Sequence, residues 1–274
     1  MKKKTIQIMI GIFVILICVI SVGPFLWVLL SSFRGNADIL SSASIFNGHF
    51  SFKNYFTAFK LAPIAQFYKN SVIVTVMSTL ICLTVMSMAS YVIARFQFRG
   101  RKFLRLMFSM ALLIPGSALL LPVYNTVKTI GLLDTIPGLI LVYSGFGLTT
   151  SLFILSSYFM TIPRELEESA YIDGAGFFRT FATIIMPLVK PALATAGVLQ
   201  FIEARNEFQF ALTLTTGNDS RTLPVALYYF KSAYATDYGA MFAATILIIL
   251  PTIVIYFLMQ EQVVSGMTAG AVKG

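Results

Sequence analysis

Residues 2–30 read KKKTIQIMIGIFVILICVISVGPFLWVLL, in which three lysines precede an uncharged, largely apolar run from Ile6 to Leu30. At a rise of about 1.5 Å per residue, about twenty residues cross the hydrocarbon of a bilayer, so this run can span it with some tilt. A cleaved signal peptide would have an apolar region of only about 7–15 residues, followed by a small-residue cleavage site. The run is therefore predicted to be a membrane-spanning helix.

Long apolar runs of this kind recur along the chain. Of the 274 residues, 57% are hydrophobic and only 11% are charged, and the mean hydropathy is +0.83. A soluble domain would instead alternate apolar and polar residues at a helical or strand period. The predicted fold class is all-α, a polytopic membrane protein with six transmembrane helices. The predicted spans are about 6–30, 70–94, 106–126, 138–160, 191–212 and 239–259.

The distribution of Lys and Arg residues predicts the orientation of these spans. With both termini in the cytoplasm, the cytoplasmic segments hold more Lys and Arg residues than the outside loops do. The densest group, at 95–105, then faces the cytoplasm, as the positive-inside rule requires. This topology also explains the net charge of +9. A nucleic-acid interface, which needs a basic patch with stacking aromatic residues on a soluble face, is not expected.

Residue types that carry enzymatic chemistry are scarce. The one histidine, His49, falls in a predicted outside loop, and Cys18 and Cys82 fall inside apolar runs. The sequence has no His-Glu-x-x-His metal motif, no Gly-x-Ser-x-Gly nucleophile turn and no phosphate-binding Gly-x-x-x-x-Gly-Lys-Ser/Thr loop. We therefore predict a chain that is not an enzyme, binds no metal or cofactor itself and cannot bind ATP through such a loop.

The most informative segment, residues 162–193, reads IPRELEESAYIDGAGFFRTFATIIMPLVKPAL. Pro163 suits the first turn of a helix, and carboxylates in that turn meet the positive end of the helix dipole: Glu165, Glu167 and Glu168. Gly174 is predicted to end the helix, because glycine adopts the left-handed cap conformation without steric cost. Such a helix can be a docking element for another protein or a plain solvated loop.

The identities of the residues favour docking. Glu168, Ser169 and Ala170 stand where permease subunits of binding-protein-dependent ABC importers have Glu-Ala-Ala, and Gly174 and Pro187 match later positions of that motif. Only Ser169 departs from the pattern. The segment thus resembles the coupling loop of that family, here at 163–190, which docks on the ATPase subunit. The resemblance implies a single transmembrane domain over 1–274 with the type I ABC importer permease fold. The implied docking residues are Glu165, Glu168, Ser169, Ala170, Asp173, Gly174, Ala175 and Pro187.

The end of the chain carries a second resemblance. Residues 264–274, VSGMTAGAVKG, look like the glycine-rich tail of the second permease subunit of maltose-type carbohydrate importers. Such tails reach between the two ATPase subunits, which implies an interface role for Gly266, Gly270 and Lys273. The alternative is a frayed terminus. Residues 221–225 and 234–239 resemble the outer loop that contacts the binding protein in the maltose system.

The resemblance also implies partners and a location. It implies a bacterial cytoplasmic membrane, a second homologous permease as a heterodimer partner, and two ATPase subunits that use ATP and Mg. It further implies an extracytoplasmic solute-binding protein and a carbohydrate cargo, expected to be an oligosaccharide, although the residues do not identify which sugar. One alternative is an importer permease for a non-sugar solute, such as a polyol or glycerol phosphate. Another is an ion-coupled secondary transporter, which would usually need more than six spans or an internal repeat.

Polar residues inside the predicted spans are candidates for the translocation path. A charge costs about 2.5–3.5 kcal/mol at mid-bilayer on insertion scales, so such a residue is a functional hypothesis by default. The fifth predicted span carries Glu203 and Glu207, which share one helical face with Gln200. A pore-lining role and a structural pairing are both open, since polar groups in spans also join helices. The candidates are Asn125, Tyr143, Glu203, Asn206 and Glu207.

Overall fold

The computed structural model describes residues 2–41, 50–230 and 237–271, and these residues form helices and connecting turns with no strand. The helices are α1 (Lys2–Ser31), α2 (Asn36–Leu40), α3 (Lys53–Leu61), α4 (Ile64–Arg95), α5 (Arg101–Ala111), α6 (Leu120–Thr129), α7 (Ile136–Phe159), α8 (Glu165–Ile172), α9 (Phe177–Arg179), α10 (Met186–Leu188), α11 (Lys190–Asn206), α12 (Gln209–Leu214) and α13 (Tyr238–Ala271). Two 3-10 segments, Gly116–Leu119 and Leu223–Phe230, and a π-helical segment, Thr180–Ile185, complete the described secondary structure.

Four helical segments are long and apolar enough to cross a membrane: Ile6–Ser31, Ile64–Arg95, Ile136–Phe159 and Tyr238–Glu261. Two further segments pass the same test only as bent pairs. One pair joins α5 to Gly116–Thr129 at 101°, and the other joins Phe177–Leu188 to α11 at 76°. The described residues therefore contain four to six candidate spans, in agreement with the predicted all-α polytopic class.

The predicted third span, 106–126, falls across the first of these bends. Pro115 has an extended backbone with ψ 133°, between the end of α5 and the 3-10 turn that precedes α6. Proline lacks the N–H that would continue the helical hydrogen bonds, so the chain can change direction at this point. Pro115 and Pro122 predict kinks in this span, and the kink at Pro115 is confirmed, but its angle of 101° was not predicted.

The predicted fifth span, 191–212, is likewise two helices. Helix α11 ends at Asn206 and α12 begins at Gln209. Glu207 between them is extended, with φ −66° and ψ 126°. A single continuous helix through this stretch is therefore wrong, and the break lies among the charged residues that the sequence analysis singled out.

The chain divides into two compact units, Met1–Ala65 with Val225–Pro251 and Gln66–Pro224 with Thr252–Gly274. In the first unit, side-chain amides join α3 to the end of α1. The Asn54 side-chain amide donates to the carbonyls of Ser32 at 2.8 Å and Arg34 at 2.7 Å. The backbone N–H of Tyr238 donates to Asn36 Oδ1 at 2.9 Å, which fixes the start of α13 in the same unit.

In the second unit, an aromatic cluster packs α4 against the segment that follows α8. Tyr91 of α4 is fully buried, and its ring contacts four phenylalanines at centroid distances of 5.1–5.8 Å: Phe96, Phe159, Phe177 and Phe181. Leu155, Ile185 and Val189 belong to the same buried core. Burying these side chains fixes the 163–190 loop against the end of α4 by the hydrophobic effect. A second core joins α7 to α12 through residues that include Leu139, Phe210 and Leu214.

Candidate functional site

Helix α8 forms the first part of the 163–190 loop. It begins at Glu165, with the carbonyl of Arg164 accepting hydrogen bonds from the amides of Glu167 at 2.9 Å and Glu168 at 3.1 Å. Pro163 therefore precedes the helix and is not in its first turn, a small error in the predicted boundary. The three carboxylates do lie in the first turn, where they interact favourably with the helix dipole.

The end of α8 is a glycine cap of the Schellman type. Gly174 has φ +79°, and its N–H donates to the carbonyl of Tyr171 at 3.1 Å. The N–H of Ala175 donates to the carbonyl of Ala170 at 2.9 Å, which completes the pair of reversed bonds that defines this motif. The predicted left-handed stop at Gly174 is confirmed.

The two faces of α8 differ in exposure. Ala170 and Glu167 are buried, whereas most of the predicted docking residues are exposed: Glu165, Glu168, Ser169, Asp173, Gly174 and Pro187. Ala175 is half-buried. Large apolar side chains accompany the exposed set, with Ile172 86% and Phe178 74% exposed. Of the predicted docking residues, only Ala170 is therefore buried, and it packs inward.

An ion pair that the sequence analysis missed holds the buried face of α8. Arg95, the last residue of α4, donates from Nε to Glu167 Oε1 at 2.8 Å, and from Nη2 to the carbonyl of Ile162 at 2.6 Å. The side chains of Arg95 and Glu167 are only 5% and 11% exposed. One signal was available, because Glu167 and Ala170 are three residues apart and share a helical face. The Arg95 partner, 72 residues away in sequence, left no local signal.

A cavity of about 230 Å³ lies beside the break between α11 and α12. Tyr143, Glu203 and Glu207, three of the five predicted path residues, line it. The remaining lining residues are Gly116, Ser117, Phe146, Gln200, Ala204, Gln209 and Phe210. The structure therefore brings together residues from α7, α11, α12 and the 3-10 turn after Pro115, which are distant in sequence.

Glu207 explains why the helix breaks at this cavity. Its carboxylate accepts hydrogen bonds from the amides of Phe210 at 2.8 Å and Ala211 at 3.0 Å, which are in the first turn of α12. The hydroxyl of Tyr143 donates to the same carboxylate at 2.6 Å. A carboxylate that accepts the otherwise unpaired amides of a helix start stabilises that start. Glu207 thus caps α12.

The other two predicted path residues lie away from the cavity lining. Asn125 is exposed on α6, and Asn206 accepts a hydrogen bond from the hydroxyl of Thr252 at 3.2 Å. Gln200 lines the cavity and donates to the carbonyl of Tyr143 at 2.9 Å. The sequence predicted only that it shares a helical face with Glu203 and Glu207.

Two of the predicted tail residues, Gly266 and Gly270, lie within α13. The third, Lys273, lies outside the described residues, and so do residues 234–236 of the predicted outer loop.

A carboxylate in the turn before α7 forms hydrogen bonds to the loop that follows α12. The Asp134 carboxylate accepts hydrogen bonds from the amides of Thr216 at 2.8 Å and Gly217 at 2.9 Å, and from the hydroxyl of Ser220. Burial alone would raise the pKa of Asp134, but the hydrogen bonds from Ser220, Gly217 and Thr216 outweigh it and hold that pKa well below its usual range.

Two side chains near the start of α4 form hydrogen bonds to a later part of the same loop. The Asn70 side-chain amide donates to the carbonyls of Asp219 at 3.0 Å and Arg221 at 2.8 Å. The Ser71 hydroxyl accepts from the amide of Leu223 at 2.7 Å. Residues 215–223 therefore form a loop whose backbone is held by the exposed Asp134 and by the buried Asn70 and Ser71, not a freely extended connection.

The candidate spans and the 163–190 loop together define a multi-pass helical membrane protein. Residues 86–268 match the family of binding-protein-dependent transport system inner membrane components, and the chain belongs to that family. The predicted resemblance to importer permeases is thereby confirmed.

Relatives agree with this assignment, and a solved structure has the same fold. The diacetylchitobiose uptake system permease protein NgcG of Streptomyces coelicolor is 35% identical over 94% of this chain and 86% of its own. The trehalose/maltose transport system permease protein MalG of Thermococcus litoralis is 34% identical over 99% of this chain and 98% of its own. A bacterial ABC transporter involved in the import of the acidic polysaccharide alginate shares the fold, with a TM-score of 0.84 at 20% identity over 95% of this chain and 97% of that one.

Proposed function

We propose that this chain is the permease subunit of an ATP-driven carbohydrate importer in the cytoplasmic membrane, with both termini cytoplasmic. Similarity over nearly the whole chain to permeases named for diacetylchitobiose and for trehalose/maltose supports a carbohydrate cargo. The excess of Lys and Arg in the segments assigned to the cytoplasm supports the orientation.

The observation that carries the proposal is the two-faced structure of α8. Its buried face is bonded to α4 through Arg95 and Glu167, and its other face exposes Glu168 and Ile172. A helix fixed to a candidate span on one side and open on the other is suited to transmit the movement of a docked protein. We infer that a separate ATPase subunit docks on this face and that Glu168 meets a cation of that subunit.

Further partners follow from the same proposal. The complex contains a second homologous permease and two ATPase subunits, which use the ATP and Mg, and Gly266, Gly270 and Lys273 lie at the ATPase interface. The family description supports a binding protein as the source of cargo. Residues 215–223, held by Asp134 and Asn70, are a preformed surface for it. The cargo passes Tyr143 and Glu203 on its path.

Reconstitution in proteoliposomes tests this function. The isolated chain is expected to hydrolyse no ATP. The complex assembled with its companion permease, ATPase subunits and binding protein is expected to couple ATP hydrolysis to uptake of labelled disaccharides. Glu168→Gln is expected to lower uptake by about tenfold or more, because a charge-assisted contact contributes about 1.5–3 kcal/mol.

The control for this experiment is Glu261→Gln, which removes one exposed carboxylate of α13 and is expected to leave uptake unchanged. Uptake by the isolated chain driven by an ion gradient would replace the proposal with a secondary transporter. Uptake of polyols or glycerol phosphate, with no uptake of sugars, would keep the importer and replace the cargo.

A further inference from the structure

The lining of the cavity beside the α11–α12 break combines aromatic and hydrogen-bonding groups. Phe146 and Phe210 stand together on one side, with ring centroids 4.8 Å apart. Gln200, Glu203 and Ser117 contribute polar side chains. Aromatic walls with a few placed polar groups are typical of small-molecule sites. The volume of the cavity is about 230 Å³. Sites for drug-sized ligands have volumes of about 300–1,000 Å³, so this cavity suits one part of a longer molecule.

The charges around the cavity have one sign. Glu203 and Glu207 line it, and no Lys, Arg or His is among the described residues of its lining. Such a lining favours neutral or cationic groups and disfavours anionic ones, because like charges repel each other across a binding site.

The two carboxylates are engaged differently. Glu207 accepts from Tyr143 and from two amides of α12, so its acceptor positions are largely occupied. The Glu203 carboxylate makes no hydrogen bond or ion pair with any residue that the structure describes, and it is exposed at the cavity. An ionised carboxylate is an acceptor with about four lone-pair positions, which sugar hydroxyls or an amino group can fill.

The part of the lining formed by Gln200, on the same face of α11 as Glu203, is fixed in place. The Gln200 side chain lies directly over Gly147 of α7, where an added Cβ would be 1.8 Å from Gln200 Oε1. Its amide also donates to the Tyr143 carbonyl at 2.9 Å. A glycine is needed at 147 for this packing, so the polar side of the cavity is preorganised and need not be ordered by a ligand.

We propose that this cavity is a charge-selecting saccharide subsite, in which Glu203 accepts hydrogen bonds from the hydroxyl or amino groups of a neutral or amine-bearing sugar and excludes sugars that carry a carboxylate. The proposal rests on the proposed function and adds the charge class of the cargo. Exclusion is the repulsive element of the specificity, and the Glu203 acceptor is the attractive one.

Equilibrium binding to the assembled complex in nanodiscs tests the proposal, without the binding protein so that its own preference does not enter. The probes are N,N′-diacetylchitobiose as a neutral disaccharide, chitobiose as an amine-bearing one and digalacturonic acid as an anionic one. The first two are expected to bind at least about tenfold more tightly than the third. Glu203→Gln is expected to weaken chitobiose binding by about tenfold and to reduce the discrimination against digalacturonic acid.

The control variant Glu261→Gln should retain the wild-type order of affinities, and size-exclusion chromatography should show that each variant assembles. The wild-type comparison needs no variant, so the proposal stays testable even if Glu203→Gln fails to assemble. Equal affinity for all three sugars, or undiminished discrimination against digalacturonic acid in Glu203→Gln, overturns the charge selection while uptake of sugars still supports the importer. If the complex neither binds nor imports any sugar, the carbohydrate proposal fails and the charge selection fails with it.

Discussion

Arg95 closes the end of α4 onto α8, with its Nε 2.8 Å from Glu167 Oε1 and its Nη2 2.6 Å from the Ile162 carbonyl oxygen. A guanidinium offers several N–H donors in a planar fork, so one side chain can bond a carboxylate and a carbonyl together. This pair therefore joins α4, a candidate span, to α8, the proposed docking helix.

Breaking this pair from one side should be costly. Arg95→Met or Glu167→Met leaves the other charge buried and unpaired, which costs about 3–5 kcal/mol in comparable pairs. The double variant Arg95→Met/Glu167→Met should recover much of that stability, because neither charge remains. Thermal unfolding of the assembled complex measures the stability, and sugar imported per ATP hydrolysed measures the coupling.

The double-mutant cycle separates the pair from its surroundings. The Ile162 carbonyl loses its donor in both variants at position 95, so this loss cancels in the cycle. Additive effects of the two single changes on both stability and coupling would show that the pair does not connect α8 to α4.

A substitution at Gly174 should reduce the coupling of ATP hydrolysis to uptake more than a substitution at a neighbouring glycine does. Gly174→Ala puts a Cβ at φ +79°, which costs about 1–2 kcal/mol and displaces the end of α8. We expect ATP hydrolysis that is no longer matched by uptake, measured as the ratio of the two rates. Gly176→Ala is the matched control in the same loop, since Gly176 has φ −75° and nothing within 4 Å of an added Cβ. An equal loss of coupling in both variants would argue against a special role for the turn.

The structure shows which features the sequence could predict. The extent of α7 and the glycine stop of α8 were predicted well, because apolar composition and φ preference are local properties. A kink at Pro115 could be predicted because proline removes a helical donor, but the bend of 101° could not, since hydropathy carries no direction. The ion pair of Arg95 and the cap formed by Glu207 depend on contacts made only after folding, so composition identified the charged residues but not their partners.

A pH dependence is expected from Asp134. Hydrogen bonds from the 216–220 loop hold its folded pKa well below the unfolded value of about 3.9, so the folded state favours the ionised form. Its stabilisation is therefore complete at neutral pH and is lost as the pH falls below about 4 towards the folded pKa. The difference in unfolding temperature between wild type and Asp134→Asn should be constant from about pH 5 to 8 and should shrink at lower pH.

Asp219→Asn provides the control for this measurement, since Asp219 is an exposed carboxylate of the same loop. A difference between wild type and Asp134→Asn that does not change with pH would mean that the Asp134 hydrogen bonds do not favour the ionised form.

Two glycines of α7 provide a sharp test of the cavity wall. Gly147→Ala would place its Cβ 1.8 Å from Gln200 Oε1, so either Gln200 leaves its position or the helices separate. Overpacking of this kind costs about 1–3 kcal/mol, and we expect both a lower unfolding temperature of the complex and weaker sugar binding. Gly145→Ala, two residues away in the same helix, meets nothing within 4 Å and should stabilise the helix slightly, because alanine is the better helix former. If the two alanine variants behaved alike, the close packing of Gln200 on α7 would not define the cavity.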